Sequence, residues 1–242
     1  MRNARRASLR VVLGLVAITL FGFCSVTAQG TAELSAQAIL ARLASTYSRC
    51  KSYRDKGVVR IVYLESGGRR VEERPFRTAF VRPDRFRFEY QETGLLGAKR
   101  RYIVWRLGSH VQTWWDVRPG IEEKASLGSA LGAATGVSGG SSHAIPALLM
   151  PGEVEGRRLT DMTDVKRLAD AEAAGASCFR VEGTYANLPR TVWVDKKTFL
   201  VRRIDFEDTF PTFRTQQTTT YEPVLDEQVA PELLRFDPPA QR

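Results

Sequence analysis

The chain has 242 residues, 43% of them hydrophobic and 26% charged, with three cysteines, two histidines and a formal charge of +9. That composition is globular and excludes a disordered chain. Beyond the arginine-rich first ten residues the cations are spread without any block of like charge, which excludes a polyanion-binding footprint and with it a nucleic-acid partner.

The first element is a leader. MRNARRASLR carries Arg2, Arg5, Arg6 and Arg10 and no acid, VVLGLVAITLFGFCSV is uncharged, and Val26 and Ala28 stand where a signal peptidase reads. Residues 1–28 therefore read as a signal peptide and residues 29–242 as one mature domain outside the cytoplasm, with a formal charge of +5. An uncleaved anchor competes with cleavage, because the uncharged run from Val11 to Ala32 could just cover the ~20 residues that a bilayer requires. Lipidation at Cys24 is disfavoured by the bulky Phe23 before it.

After Ser35, an N-cap residue, AQAILARLASTYSRC places Ile39, Leu40, Leu43 and Tyr47 on one stripe and predicts an amphipathic helix over residues 35–50. The period then changes to two. Residues 57–64, 69–81, 85–91, 101–107 and 111–116 read as antiparallel strands separated by GG, PD, TG and GS turns. In FRTAFVRPDRFRFEY, Phe86, Phe88 and Tyr90 share one parity and Arg85, Arg87 and Glu89 the other. A strand with one buried and one wet face does this; a nucleic-acid platform would set rings and cations on the same face.

The centre breaks the rhythm. Between Lys124 and Glu153 no charge occurs. SLGSALGAATG can form a helix with Gly128, Gly132 and Gly136 on one smooth face, and SSHAIPALLM a second, capped by Ser141 or Ser142 with Pro146 near its first turn. Strands resume over residues 178–185, 190–194, 200–207 and 212–221. Helix, antiparallel strands, a helical insertion at about residues 125–152 and more strands make an α+β pattern, with no βαβ repetition.

Catalytic chemistry is hard to find. GVSGG matches G-x-S-x-G, but Ser138 has no core strand before it and only His143 after it, so a glycine-serine hinge is the better reading and a Ser138 hydrolase the weakest of three functional readings. His110 and His143 are the only histidines, and neither C-x-x-C, H-E-x-x-H nor a phosphate-cradling loop is present, so no metal, cofactor or catalytic residue is expected. Cys50 and Cys178 are the two cysteines that follow the leader. In an oxidising compartment an even pair predicts a Cys50–Cys178 disulfide, whose long loop would stabilise by ~4–5 kcal/mol in the chain-entropy model; two buried free thiols are the alternative.

An apolar surplus remains. Ile61, Tyr63, Phe80, Phe86, Phe88, Tyr90, Trp105, Trp114 and Trp193 are more aromatic surface than one helix covers, which suggests a sheet curved round an apolar pocket with the uncharged insertion as a movable lid.

Several segments together carry a resemblance: the helix ending in SRCKSYRDKG, FRTAFVRPDRFRFEY, IVWRLGSHVQTWWD, SHAIPALLMPGE and RTVWVDKKTFLVRRIDFE. From about Glu33 to Pro239 the chain resembles the LolA-type lipoprotein-carrier superfamily. The resemblance implies an incomplete antiparallel β-barrel with helices over a hydrophobic cavity, in the periplasm, holding the acyl chains of a lipid or acylated lipoprotein received from and passed to membrane proteins. It implies that Ile145, Pro146, Leu148, Leu149 and Met150 form the lid and that Arg82 of VRPD latches it. Relatives on the same fold act as lipoprotein receptors or as regulators that sense lipid or mislocalised lipoprotein, so an envelope interaction module is the second reading. The glycine-rich stretch from Leu127 to Gly140 and the two cysteines depart from the plain carrier pattern.

Overall fold

Ser35 accepts a hydrogen bond from the Ala38 amide at 3.2 Å and so caps helix α1 (Ala36–Arg49), which buries Ile39, Leu40, Leu43 and Tyr47. The computed structural model describes residues 33–93 and 97–239. The signal peptide expected over residues 1–28 lies outside them. Within the unit Leu34–Arg242, a first meander contains β1 (Ser52–Glu65), β2 (Gly68–Val81), β3 (Arg85–Thr93), β4 (Lys99–Leu107), β5 (His110–Trp115) and β6 (Arg118–Glu123). A second contains β7 (Thr163–Ala173), β8 (Ala176–Tyr185), β9 (Leu188–Asp195), β10 (Val201–Thr209) and β11 (Phe213–Tyr221).

Between the meanders lie α2 (Leu127–Thr135), α3 (Ser141–Ala144) and α4 (Pro146–Leu149). Among the described residues the strands join in one antiparallel sheet of twelve, in the order β6-β5-β4-β3-β2-β1-β11-β10-β9-β8-β7, with the short β12 (Val224–Leu225) on β1. The seam between the meanders is β1 on β11, in register from Gly57 opposite Tyr221 to Glu65 opposite Phe213. The edges β6 and β7 do not pair with each other, so the curved sheet stays open. The fold is α+β. No helix among the described residues is long and apolar enough to cross a membrane.

Strand parity decides what faces the helices. On β3, Phe86, Phe88 and Tyr90 are buried with α1 and the insertion, while Arg85, Arg87 and Glu89 point to the other face. Register carries this across the sheet: Phe80 lies opposite Phe86, Thr78 opposite Phe88 and Phe76 opposite Tyr90. Gly57 makes room for one of these rings, since a Cβ there would stand 2.2 Å from Phe76 Cζ and 2.4 Å from the Thr220 carbonyl oxygen.

Besides the two-residue β12, two strands escape the sequence pattern, and both are edges. β6 contains Pro119 and Gly120, tolerable only where one side of the ladder is unpaired. β7, TDVKRLADAEA, is rich in helix formers and joins β8 with two register shifts; its neighbour's hydrogen bonds override its propensity. The expected helix over SSHAIPALLM is divided into α3 and α4 at Pro146, whose ring and missing N–H cannot continue a helix, and Gly140 at φ +83° precedes α3 in place of a serine cap.

The expected Cys50–Cys178 disulfide is corrected. Both cysteines are free and buried. Cys50 follows α1 in the main core and donates to the Tyr47 carbonyl, whereas Cys178 packs with Ala173 and Trp193. Its strand neighbours Phe179 and Val181 face the main core, so Cys178 faces the opposite side of the sheet. Burial pushes the Cys50 thiol up to about 11 and the Cys178 thiol up as well, so both stay protonated.

Gly57→Ala is expected to destabilise the fold by roughly 1–3 kcal/mol, the usual range for overpacking a filled interior, read as a lower midpoint at unchanged slope in urea unfolding.

Candidate functional site

The expected aromatic wall and the insertion share one buried core. Ile61, Phe80, Phe86, Phe88 and Tyr90 belong to one buried cluster with Ile145, Leu148, Leu149 and Met150, and Tyr63 packs against it at the rim. Pro146 is buried at the start of α4. Phe80, Phe86 and Phe88 have no exposed surface. Side chains of α1 and of the insertion are buried in the same cluster as these rings.

Three predicted wall residues lie elsewhere, which corrects their assignment. Arg87 on the outer face stands opposite Trp105, and Trp105 and Trp114 cluster with Ile103 under Phe236 of the C-terminal segment. Trp193 is also outer, held between the guanidinium groups of Arg180 at 4.6 Å and Arg203 at 4.9 Å, with its indole N–H donated to Asp205. These three tryptophans thus serve the back of the sheet.

Arg82 sits where two helices end. Its Nε donates to the Cys50 carbonyl at 2.7 Å, and one Nη donates to the carbonyls of Ser48 at 2.7 Å and Leu149 at 2.8 Å. The last carbonyls of a helix have no partner inside it and carry partial negative charge, so one cation at this point joins the end of α1 to the end of the lid. Hydrogen bonds from a charged donor contribute about 1.5–3 kcal/mol each.

Sequence reading missed the other ties. Arg106, 7% exposed despite its charge, donates to the Pro83 carbonyl at 2.7 Å and the Asp84 carbonyl at 3.1 Å and pairs with Glu153 just beyond the lid. Arg74 donates to the Val137 carbonyl at 2.6 Å, and Gln217 to the Gly139 carbonyl at 2.7 Å. Period-two parity was the available signal, because Arg106 shares the face of buried Val104, and Arg74 stands opposite buried Val59.

The Ser138 hydroxyl is buried and donates to Ser142, while His143 Nε2 lies 2.8 Å from the Glu155 carbonyl, so the two residues of the hydrolase reading do not engage each other. Among the described residues no group of three or more His, Cys, Asp or Glu side chains gathers as a metal site would require.

Asp55 is a buried carboxyl on β1. It accepts from the Tyr53 hydroxyl at 2.7 Å and from the Thr78 amide at 2.8 Å. Burial outweighs those bonds and raises its pKa to about 6.

No protein-family model matches the chain, and no curated protein does. Among solved structures it is similar to LprF from Mycobacterium bovis, at 10% identity over 81% of this chain and 94% of that one with a TM-score of 0.47. A LolA superfamily protein from Nitrosomonas europaea is 9% identical over 84% of this chain and 99% of that one, with a TM-score of 0.31. The Pseudomonas aeruginosa MucA/MucB complex matches at 16% identity and a TM-score of 0.36, over 84% of this chain and 61% of that one. With TM-scores below 0.5, these likenesses do not speak to function.

The Asp55 carboxyl is raised in the fold above its unfolded value of ~3.9, so between there and pH 6 the folded state binds the extra proton. Stability should therefore fall as pH rises through that window, by ~2–3 kcal/mol from this group, and stay lowered above it. Urea titrations of wild type and Asp55→Asn from pH 4 to pH 7 read this directly, the variant giving the flatter profile.

Proposed function

We propose that the protein is a periplasmic carrier that shelters an acyl chain, of a lipid or an acylated lipoprotein, against the inner face of the sheet in exchange for the lid. The observation that carries this reading is how the lid is held. Its apolar side chains are buried in the same cluster as Phe80, Phe86 and Phe88, and polar ties from Arg82, Arg74 and Gln217 go to backbone carbonyls along its length. An acyl chain replaces the first kind without stranding a polar group on the wall, and Arg82 keeps its bonds to Ser48 and Cys50 when the lid leaves.

Magnitudes favour exchange over permanent closure. Exposing Ile145, Leu148, Leu149 and Met150 costs roughly 1.5–3 kcal/mol each. A chain of about twelve methylenes recovers ~0.8 kcal/mol per group, or about 10 kcal/mol in all. The two totals overlap, so uptake and release are reversible, and a few hydrogen bonds at the lid margin set the balance.

Native mass spectrometry of the mature protein should recover a bound amphiphile, and a fluorescent single-chain lipid should exchange with it. Arg82→Leu removes the lid's tie at Leu149 and should raise apparent affinity about ten-fold, because the closed state competes less well. Circular dichroism checks that its fold is intact. A folded protein that takes up no lipid in either form would refute the carrier reading.

A further inference from the structure

A second feature of the inner face lies away from the aromatic wall. Beneath the loop that joins α2 to α3, a cleft of 260 Å³ is bounded by Gly136, Gly139 and Gly140 above and by Phe206, Gln217 and Tyr221 below, with Arg190 in its wall. Arg190 stands on β9 opposite Gly183 and Phe206. Its guanidinium lies 4.1 Å from the ring centre of Tyr185 and 4.8 Å from that of Phe206.

Ring faces attract the cation, yet they offer nothing to its in-plane N–H groups. The Arg190 Nε is sealed from solvent and has no hydrogen-bond partner. No acidic side chain forms an ion pair with Arg190 among the described residues; the groups that favour its charge are the phenols of Tyr185 and Tyr221, neutral at pH 7, with the Tyr185 side chain also hydrogen-bonded to the guanidinium, which leaves Nε as the donor without a partner. Burial lowers its pKa, yet an arginine remains charged. A half-buried cation whose Nε donor is sealed without a partner carries a desolvation cost that a pairing group would offset.

The geometry points to a headgroup site: we infer that Arg190 and the cleft around it receive the oxyanion of an amphiphile whose chain runs under the lid. This rests on the carrier reading and adds the polar end of the cargo. A phosphate or carboxylate accepts from Nε and Nη together, the arrangement in which arginine binds such groups best. Gln217 and Thr219 line the same cleft, and Gln217 already binds the Gly139 carbonyl. An occupant of the cleft therefore lies against the hinge of the lid. With Gly139 at φ +62° and Gly140 at +83°, that hinge has a backbone conformation suited to glycine.

The test measures binding of dodecyl phosphate, dodecyl maltoside and inorganic phosphate by calorimetry, each amphiphile below its micelle concentration. Wild type should bind dodecyl phosphate about ten-fold more tightly than the maltoside, and Arg190→Gln should remove that preference while leaving maltoside affinity unchanged. Arg190→Lys keeps the charge and should restore part of the preference, which separates charge from packing. Equal affinity for both amphiphiles, unmoved by Arg190→Gln, would overturn the headgroup site and leave the carrier reading standing. Inorganic phosphate binding as tightly as dodecyl phosphate would make this a free-anion site and overturn the inference. Failure of both amphiphiles to bind would refute the carrier reading itself.

Discussion

One constraint governs the molecule: the sheet turns a row of rings toward one side, and α1 alone is too small to cover them. Phe76, Phe80, Phe86, Phe88 and Tyr90 share that face because strand parity and register turn them to one side, Phe76 opposite Tyr90, Phe80 opposite Phe86 and Phe88 opposite the inward Thr78. Leaving such surface to water costs about 1.5–3 kcal/mol per large side chain. The insertion between the meanders is uncharged because it completes this core. Lid and wall are therefore a single hydrophobic unit, and the lid is the part attached with the least backbone pairing, since α2, α3 and α4 are short helices outside the sheet.

The outer face solves the same problem differently. Trp105 and Trp114 lie under Phe236, and Ala79 packs with Val229 and Leu234, so the chain's last described stretch straps the back of the first meander. Arg87 fastens the strap by donating to the carbonyls of Glu232 and Arg235. On the second meander, Trp193 needs no strap because two arginines and Asp205 cover it. The apolar surplus read from the sequence is thus divided between two faces.

That division explains what was legible. Helix α1, most strands and the uncharged insertion follow from local signals: a serine cap, period two and a stretch without charge. The contact between Arg82 and the insertion was expected from the family resemblance alone, and the structure has it at the Leu149 carbonyl. The faces of Trp105 and Trp114 do not. Parity within a strand says that Trp105 and Val104 point apart, but which one joins Phe88 depends on the pairing of β3 with β4, and Phe88 lies opposite Val104. Cys178 failed for the same reason, because a disulfide requires both cysteines on one face and strand parity places it opposite Phe179. β7 carries no clear strand alternation and joins the sheet through the ladder with β8.

The inner face is itself of two kinds, and the lid matches both. Over β2 and β3 it is aromatic, and the Ile145 to Met150 half of the insertion lies there. On β11 the inward residues Thr215, Gln217 and Thr219 are buried and polar, and the glycine-rich loop reaches them through the Gly139 carbonyl. Buried polar side chains on a sheet that could have been wholly apolar carry a desolvation cost, offset only where they find partners. With the lid closed, Gln217 finds one in the loop. Arg190, one strand beyond β10, leaves its Nε without a partner. An occupant with an apolar chain and a charged end would satisfy both halves in a single orientation, and lid displacement would begin at the end where the hinge glycines lie.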